Sequence, residues 1–257
     1  MQAGSLRYVG GEYAMLATRR AAPRFPRMDA LGYIDCGDNR EEILYPWIRD
    51  TVLARDPRRV LDFGCGDARF ALQLARLIRN GRVTAYDRDP HMREQARRRI
   101  GAVASSDAGQ TGACNVVVCD APEADWTGAF DAVVMLGVWM CWRTHAECVE
   151  TLSLLARSLT PGGVLIAAVT HPCFRDCRFA TYRTDFGPAN YLANGTPFQV
   201  FVGERGKEIV IEDYHWNLEA MMAQATEAGL RVATLKEHSD GLAGELPSWL
   251  SLVFTRA

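Results

Sequence analysis

Two short runs bring together residue types that can hold a nucleoside. In VLDFGCGDARF, residues 60–70, the apolar pair Val60-Leu61 runs into Asp62, and Gly64 and Gly66 then open a helix near Ala68. That order reads as a strand, a tight loop and a helix N-terminus. Glycines at 64 and 66 let the backbone turn sharply and let a ligand approach with no Cβ in the way. The second run, YDRDP at 86–90, ends the next strand on Asp87, 21 positions past Gly66, with Arg88 beside it at the same rim. An acid at an offset of about 20 residues accepts hydrogen bonds from ribose hydroxyls.

Charge narrows the choice of nucleoside. The dinucleotide fingerprint G-x-G-x-x-G requires a third glycine at position 69, where this chain has Arg69. Asp62 and Asp67 bracket the loop and would repel a pyrophosphate drawn to the positive end of the helix dipole. They suit a cation. S-adenosylmethionine carries a sulfonium and an ammonium, and its lone carboxylate can still use the loop amides.

Three further runs follow in order: VVVCDAP at 116–122, FDAVVMLG at 130–137 and LTPGGVLIAAV at 159–169. With the first two they resemble the class I S-adenosylmethionine-dependent methyltransferases, strongly over residues 43–170 and more loosely in the tail. The resemblance implies an α/β fold: a doubly wound, mostly parallel seven-stranded sheet, helices on both faces and an antiparallel last strand. It places Asp62, Gly64, Gly66, Asp87 and Arg88 around the cofactor, and Leu136 and Gly137 beneath its methionine portion. It also sets Asp120 at the adenine amino group with Ala121 lining the ring, although an acid there also reads as a turn cap. Ala68 departs from the family, whose G-x-G-x-G loop has its third glycine there.

The elements that must position these residues alternate strand and helix, the pattern of a parallel sheet. Strands are expected near 59–63, 82–86, 115–119, 130–136 and 163–169, with helices near 41–54, 67–79, 89–100 and 144–158. A helix over 218–228 and strands near 230–236 and 249–255 complete the set. The length of 257 residues reads as one domain with two additions. These are an N-terminal lid, 1–40, and a cover insertion, 171–216, in which PFQVFV and KEIVIED flank residues 203–206 as a β-hairpin.

Candidate substrate chemistry lies in those additions. His171, in THPCF, follows the fifth strand and stands equally as a general base or as a cap that orients a loop. His215 ends the insertion and is a second catalytic candidate, expected to face the cavity beside Tyr214. These two features look like a subset of small-molecule methyltransferases with such a cover, although Trp216 stands where that subset often has an arginine. Tyr182, Tyr191 and Tyr214 are candidate substrate contacts, and Tyr13 and Arg19 are placed to fold over the site.

Composition excludes several classes. With 29 Lys and Arg against 31 Asp and Glu, the net charge of −2 steers the chain to neither nucleic acid nor an anionic membrane. Arg93, Arg97, Arg98 and Arg99 read as a solvated helix face. No apolar run reaches the ~18–20 residues of a membrane span, so a cytoplasmic location is expected. The eight cysteines are expected as free thiols. Cys173, Cys177 and His171 lack a fourth ligand, so no metal is expected. An N-P-P-Y type run is missing after the fourth strand, which disfavours methylation of DNA amino groups. The expectation is methyl transfer to an O- or N-nucleophile of a small molecule in specialised metabolism, by a monomer or homodimer. The alternatives are an RNA or protein methyltransferase and a non-catalytic cofactor-binding partner of a larger assembly.

Overall fold

The structure is a computed structural model and describes residues 39–78, 80–106, 115–122, 126–187, 191–203, 208–241 and 246–257. Tyr13 and Arg19, and the lid that holds them up to residue 38, lie outside the described residues.

The central element is a seven-stranded sheet. Its strands are β1 (Arg59–Phe63), β2 (Arg82–Tyr86), β3 (Val116–Val118), β4 (Phe130–Leu136), β5 (Leu159–Thr170), β9 (Leu230–Ser239) and β10 (Pro247–Arg256). They lie in the order β3-β2-β1-β4-β5-β10-β9. The first five run parallel, and β10 enters antiparallel between β5 and β9. Parallel strands covered on both faces read as near-continuous apolar runs. Accordingly β4, from Ala132 to Leu136, and β5, from Gly163 to Thr170, are buried without a break.

Helices α1 (Arg40–Ile43), α2 (Tyr45–Leu53), α3 (Arg69–Leu77), α4 (Pro90–Ser106), α5 (His145–Ser158) and α6 (Leu218–Glu227) accompany the sheet. The single helix expected over 41–54 is two pieces. Pro46 lies at the start of the second, where its missing N–H costs no intrahelical bond. Helix α3 buries Phe70, Ala71, Leu72 and Leu74, the stripe of an amphipathic helix. Thr144 caps α5 by accepting from the Glu147 N–H at 3.1 Å, and Asn217 caps α6 by accepting from the Ala220 N–H at 2.8 Å.

Between β5 and α6 the chain builds a second, three-stranded antiparallel sheet from β6 (Tyr182–Asp185), β7 (Thr196–Val202) and β8 (Ile209–His215). Its β7–β8 pair is the expected hairpin. The third strand, β6, is an addition that the sequence pattern does not announce.

Strand order reverses around β1, which has β2 on one side and β4 on the other. Ligands in open α/β sheets bind outside the carboxyl ends of strands at such a switch point. The glycine loop leaves β1 there, Asp87 leaves β2, and Gly137 leaves β4.

Candidate functional site

The loop after β1 is shaped by left-handed backbone at every second residue: Gly64 at φ 80°, Gly66 at 55° and Ala68 at 62°. A Cβ on Gly64 would stand 2.2 Å from Val138 Cγ2, so only glycine fits. Its N–H and that of Cys65 both donate to the Tyr86 carbonyl, at 2.7 and 2.9 Å, which seals the loop against β2. Ala68 adopts the conformation that a glycine would take freely, at a cost of about 1–2 kcal/mol.

Two carboxylates meet behind this loop. Asp87 accepts from the Gly66 N–H at 2.9 Å through Oδ2 and from the Asp89 N–H at 2.9 Å through Oδ1. Burial pushes its pKa upward, and these two bonds oppose the shift. Asp62 is only 2 % exposed, and its Oδ2 has no hydrogen-bond partner. Burial above all, then the charge of Asp87, raises the Asp62 pKa to about 7, while the Arg40 guanidinium pulls the other way. An unpartnered buried oxygen is costly in isolation and becomes favourable opposite a cation. The cluster therefore fits a nucleoside with an ammonium group: Asp62 for the ammonium, Asp87 for ribose hydroxyls, and the glycine turn for close approach.

Arg40 is a residue that sequence reasoning missed. Its Nη1 lies 3.7 Å from the place a Gly137 Cβ would occupy, which brings a guanidinium to the end of β4 where a carboxylate can be held. Leu136 is 8 % exposed, and Gly137 stands at φ 69° with its N–H donated to the Ala168 carbonyl at 2.8 Å. Arg88 does not point at the loop. Its Nη1 donates to Glu147 Oε1 at 2.9 Å, joining the end of β2 to the first turn of α5.

Asp120, expected at the adenine amino group, is engaged by two arginines. The Asp120 side chain is 73 % exposed and is taken by Arg97 at 2.6 Å and Arg93 at 3.3 Å, which lowers its pKa, the Arg97 bond foremost. Ala121 is exposed next to it. Both arginines belong to the α4 run that reads as a solvated face.

On the other side of Gly137, a small cleft opens between the 3₁₀ turn Trp139–Cys141, the end of β5 and the cover. Trp139, Thr170, Pro172, Arg175, Tyr214 and Trp216 line it. Trp139 is fixed by donating from Nε1 to Gln224 Oε1 at 2.9 Å, and Trp216 by donating to the Trp142 carbonyl at 3.0 Å.

Neither histidine lines the cleft. His171 is 2 % exposed; its Nδ1 accepts from the Cys173 N–H at 3.3 Å, so its Nε2 carries the proton towards Glu237 Oε1 at 3.0 Å. Neither nitrogen keeps a lone pair for a nucleophile, and the base role expected of His171 is corrected to that of a loop anchor. His215 is fully buried, and its Nε2 donates to the Tyr191 carbonyl at 2.9 Å. That fixes the tautomer and leaves Nδ1 as a lone pair without a partner. Burial holds the His215 pKa below the usual range.

Of the three tyrosines, only Tyr214 lines the cleft, with its hydroxyl donated to Glu212 at 2.7 Å. Tyr182 is buried with its hydroxyl donated to the Ser248 carbonyl, and the Tyr191 hydroxyl accepts from the Leu218 N–H at 3.0 Å. Both brace the cover; for Tyr182, which is buried, this corrects the assignment to substrate. Asp213, 4 % exposed on β8, was also missed; burial raises its pKa to about 7 against the pull of Arg175.

Among the described residues no cluster of three His, Cys, Asp or Glu side chains is arranged for a metal. No described helix is long and apolar enough to cross a membrane.

Residues 60–163 match a family model described as a methyltransferase domain. A demethylmenaquinone methyltransferase from Deinococcus radiodurans is 32% identical over 115 residues, which are 45% of this chain and 44% of that protein. The match thus spans less than half the length of that curated relative. Among solved structures, the CcbJ methyltransferase from Streptomyces caelestis aligns with a TM-score of 0.59 at 16% identity, over 81% of this chain and 94% of that one. An S-adenosylmethionine-dependent methyltransferase from Clostridium acetobutylicum aligns with a TM-score of 0.59 at 12% identity, over 96% and 100%. At these identities the structural likeness is one of fold.

Proposed function

We propose that this chain, whose residues 60–163 match a methyltransferase-domain family model, is a class I S-adenosylmethionine-dependent methyltransferase and that it methylates an O- or N-nucleophile of a small molecule. The observation that carries this reading is the buried, unpartnered Oδ2 of Asp62 beside Asp87 and the glycine turn. A pyrophosphate has nothing to gain from that oxygen, whereas an amino-acid ammonium does.

S-adenosylmethionine supplies the methyl group on a sulfonium, a good leaving group. The chain's part is placement, since holding two reactants close and in line supplies much of the acceleration. Asp62 and Arg40 hold the two charged ends of the methionine portion, and Asp87 holds the ribose. The aromatic walls of Trp139, Tyr214 and Trp216 keep water from the acceptor. His215 braces the cover in this reading: its ring is fully buried and its Nε2 donates to the Tyr191 carbonyl, so placement of the nucleophile against the sulfonium carries the transfer.

A small acceptor is supported by the narrow cleft beneath the cover sheet and by the Deinococcus relative, which is named for a small-molecule acceptor. A place in specialised metabolism is the narrower form of this proposal. The test is twofold. Calorimetry with S-adenosylhomocysteine should show binding, and NAD should show none. Methyl transfer from labelled S-adenosylmethionine should appear in a small-molecule extract and not on RNA or protein. Label on RNA or protein alone overturns the acceptor assignment.

A further inference from the structure

Arg175 follows the fifth strand by five residues and reaches back into the cleft. Its Nη1 donates to Thr170 Oγ1 at 2.9 Å, and its guanidinium carbon lies 4.4 Å from the centre of the Phe198 ring. Its Nε is shut off from solvent and has no partner. No carboxylate among the described residues comes within the 4.0 Å of an ion pair with it. Asp176, next in sequence, is committed to the Phe186 N–H at 2.6 Å. Asp213 sits opposite Phe198 in the β7–β8 register and is felt by Arg175 only at longer range.

An enclosed cation with one neutral hydrogen bond is expensive to keep. Burial already depresses the Arg175 pKa. In a cleft at the carboxyl end of β5, next to the 3₁₀ turn that follows β4, such a group is accounted for by a ligand that brings the missing negative charge. The walls indicate which kind of anion. They are largely apolar and aromatic, so the body of the ligand is apolar. A single guanidinium matches one planar carboxylate in bidentate geometry. A doubly charged phosphate would find no second cation here, and Asp213 would oppose it.

We propose that Arg175 anchors a carboxylate on the methyl acceptor, so that the substrate class is a small apolar or aromatic carboxylic acid bearing the nucleophile. This rests on the reading above, that the cleft receives the acceptor. Nothing in the sequence pattern marks the site, because Arg175 lies in an irregular segment, PCFRDC, without periodicity.

The test uses the full chain saturated with S-adenosylhomocysteine and matched acid and amide probes: benzoate with benzamide, 4-hydroxybenzoate with its amide, and indole-3-acetate with its amide. Affinities are read by ligand-observed NMR. Each acid should bind roughly tenfold or more tightly than its amide, the scale of a hydrogen-bonded charge pair. Arg175→Gln should remove that preference and leave the affinity for S-adenosylhomocysteine unchanged. Asp213→Asn, which removes the opposing charge, should strengthen acid binding several-fold, and it decides the matter if Arg175→Gln does not fold. Equal affinity for acid and amide in the parent protein overturns the proposal, as does a preference that survives Arg175→Gln or is unmoved by Asp213→Asn. A parent protein that does not bind S-adenosylhomocysteine overturns the methyltransferase reading itself, a separate outcome visible before any probe is added.

Discussion

Asp62 makes cofactor binding depend on pH in a way that can be worked out from its surroundings. In the free protein its pKa is about 7, raised from 3.8 by burial and by Asp87. An ammonium placed against Oδ2 favours the carboxylate, so binding expels the proton. The sign follows: a group whose folded pKa is raised stabilises the folded free protein most below its unfolded pKa. That contribution fades as pH rises from about 4 to about 7, and its full extent is on the order of 4 kcal/mol. The bound protein escapes the loss, so affinity must rise with pH. At pH 6 about nine-tenths of Asp62 is protonated in the free state, and at pH 8 about one-tenth. Kd for S-adenosylhomocysteine should therefore tighten about tenfold between those values, with the ligand's ammonium charged throughout. Calorimetry in two buffers of different ionisation enthalpy should show about 0.9 proton released at pH 6 and about 0.5 at pH 7. Asp62→Asn should flatten the profile. Asp213 titrates in the same window, so Asp213→Asn serves as the control and should keep the slope. A Kd that does not change from pH 6 to pH 8 in the parent protein would refute the reasoning.

Two further outcomes are expected. Gly64→Ala forces a Cβ to within 2.2 Å of Val138 at φ 80°, which should lower stability by about 1–3 kcal/mol and abolish cofactor binding; denaturant melts and calorimetry check both. His171→Ala should cost stability through the lost bonds to Glu237 and Cys173 while leaving turnover within about tenfold of the parent, and a fall of 10²–10⁴ would restore its role as base.

The elements that carry the cofactor-loop signals were legible because those signals are local. Glycine spacing, an acid at the end of the next strand and unbroken apolar runs are readable in one pass, and each maps onto β1, β2 or β4. Asp120 shows what spacing leaves out: it stands after β3 as expected, and the ion pairs that Arg93 and Arg97 make with it come from a helix away. His171 shows the same limit, since the partner that occupies its ring, Glu237, lies 66 positions later. The acceptor side was hidden for a different reason. Asp213 belongs to a segment, KEIVIED, that alternates like a half-solvated strand, yet β8 is buried on both faces over its last three residues. On the cofactor side, Arg40 opens a short helix in a region without periodicity, and only the fold carries it to Gly137.

The ladder between β5 and β10 pairs Thr170 with Trp249, about eighty positions apart. Everything that roofs the acceptor cleft is threaded through the loop that this ladder closes. Closing a loop of that size carries an entropic cost, which a cover that is already compact lowers by bringing the loop's ends together. Directed evolution of acceptor preference would thus meet a bottleneck unrelated to chemistry. Libraries diversified in residues 171–216 should lose members to misfolding during expression, and a screen that scores activity per cell would mistake poor yield for poor recognition.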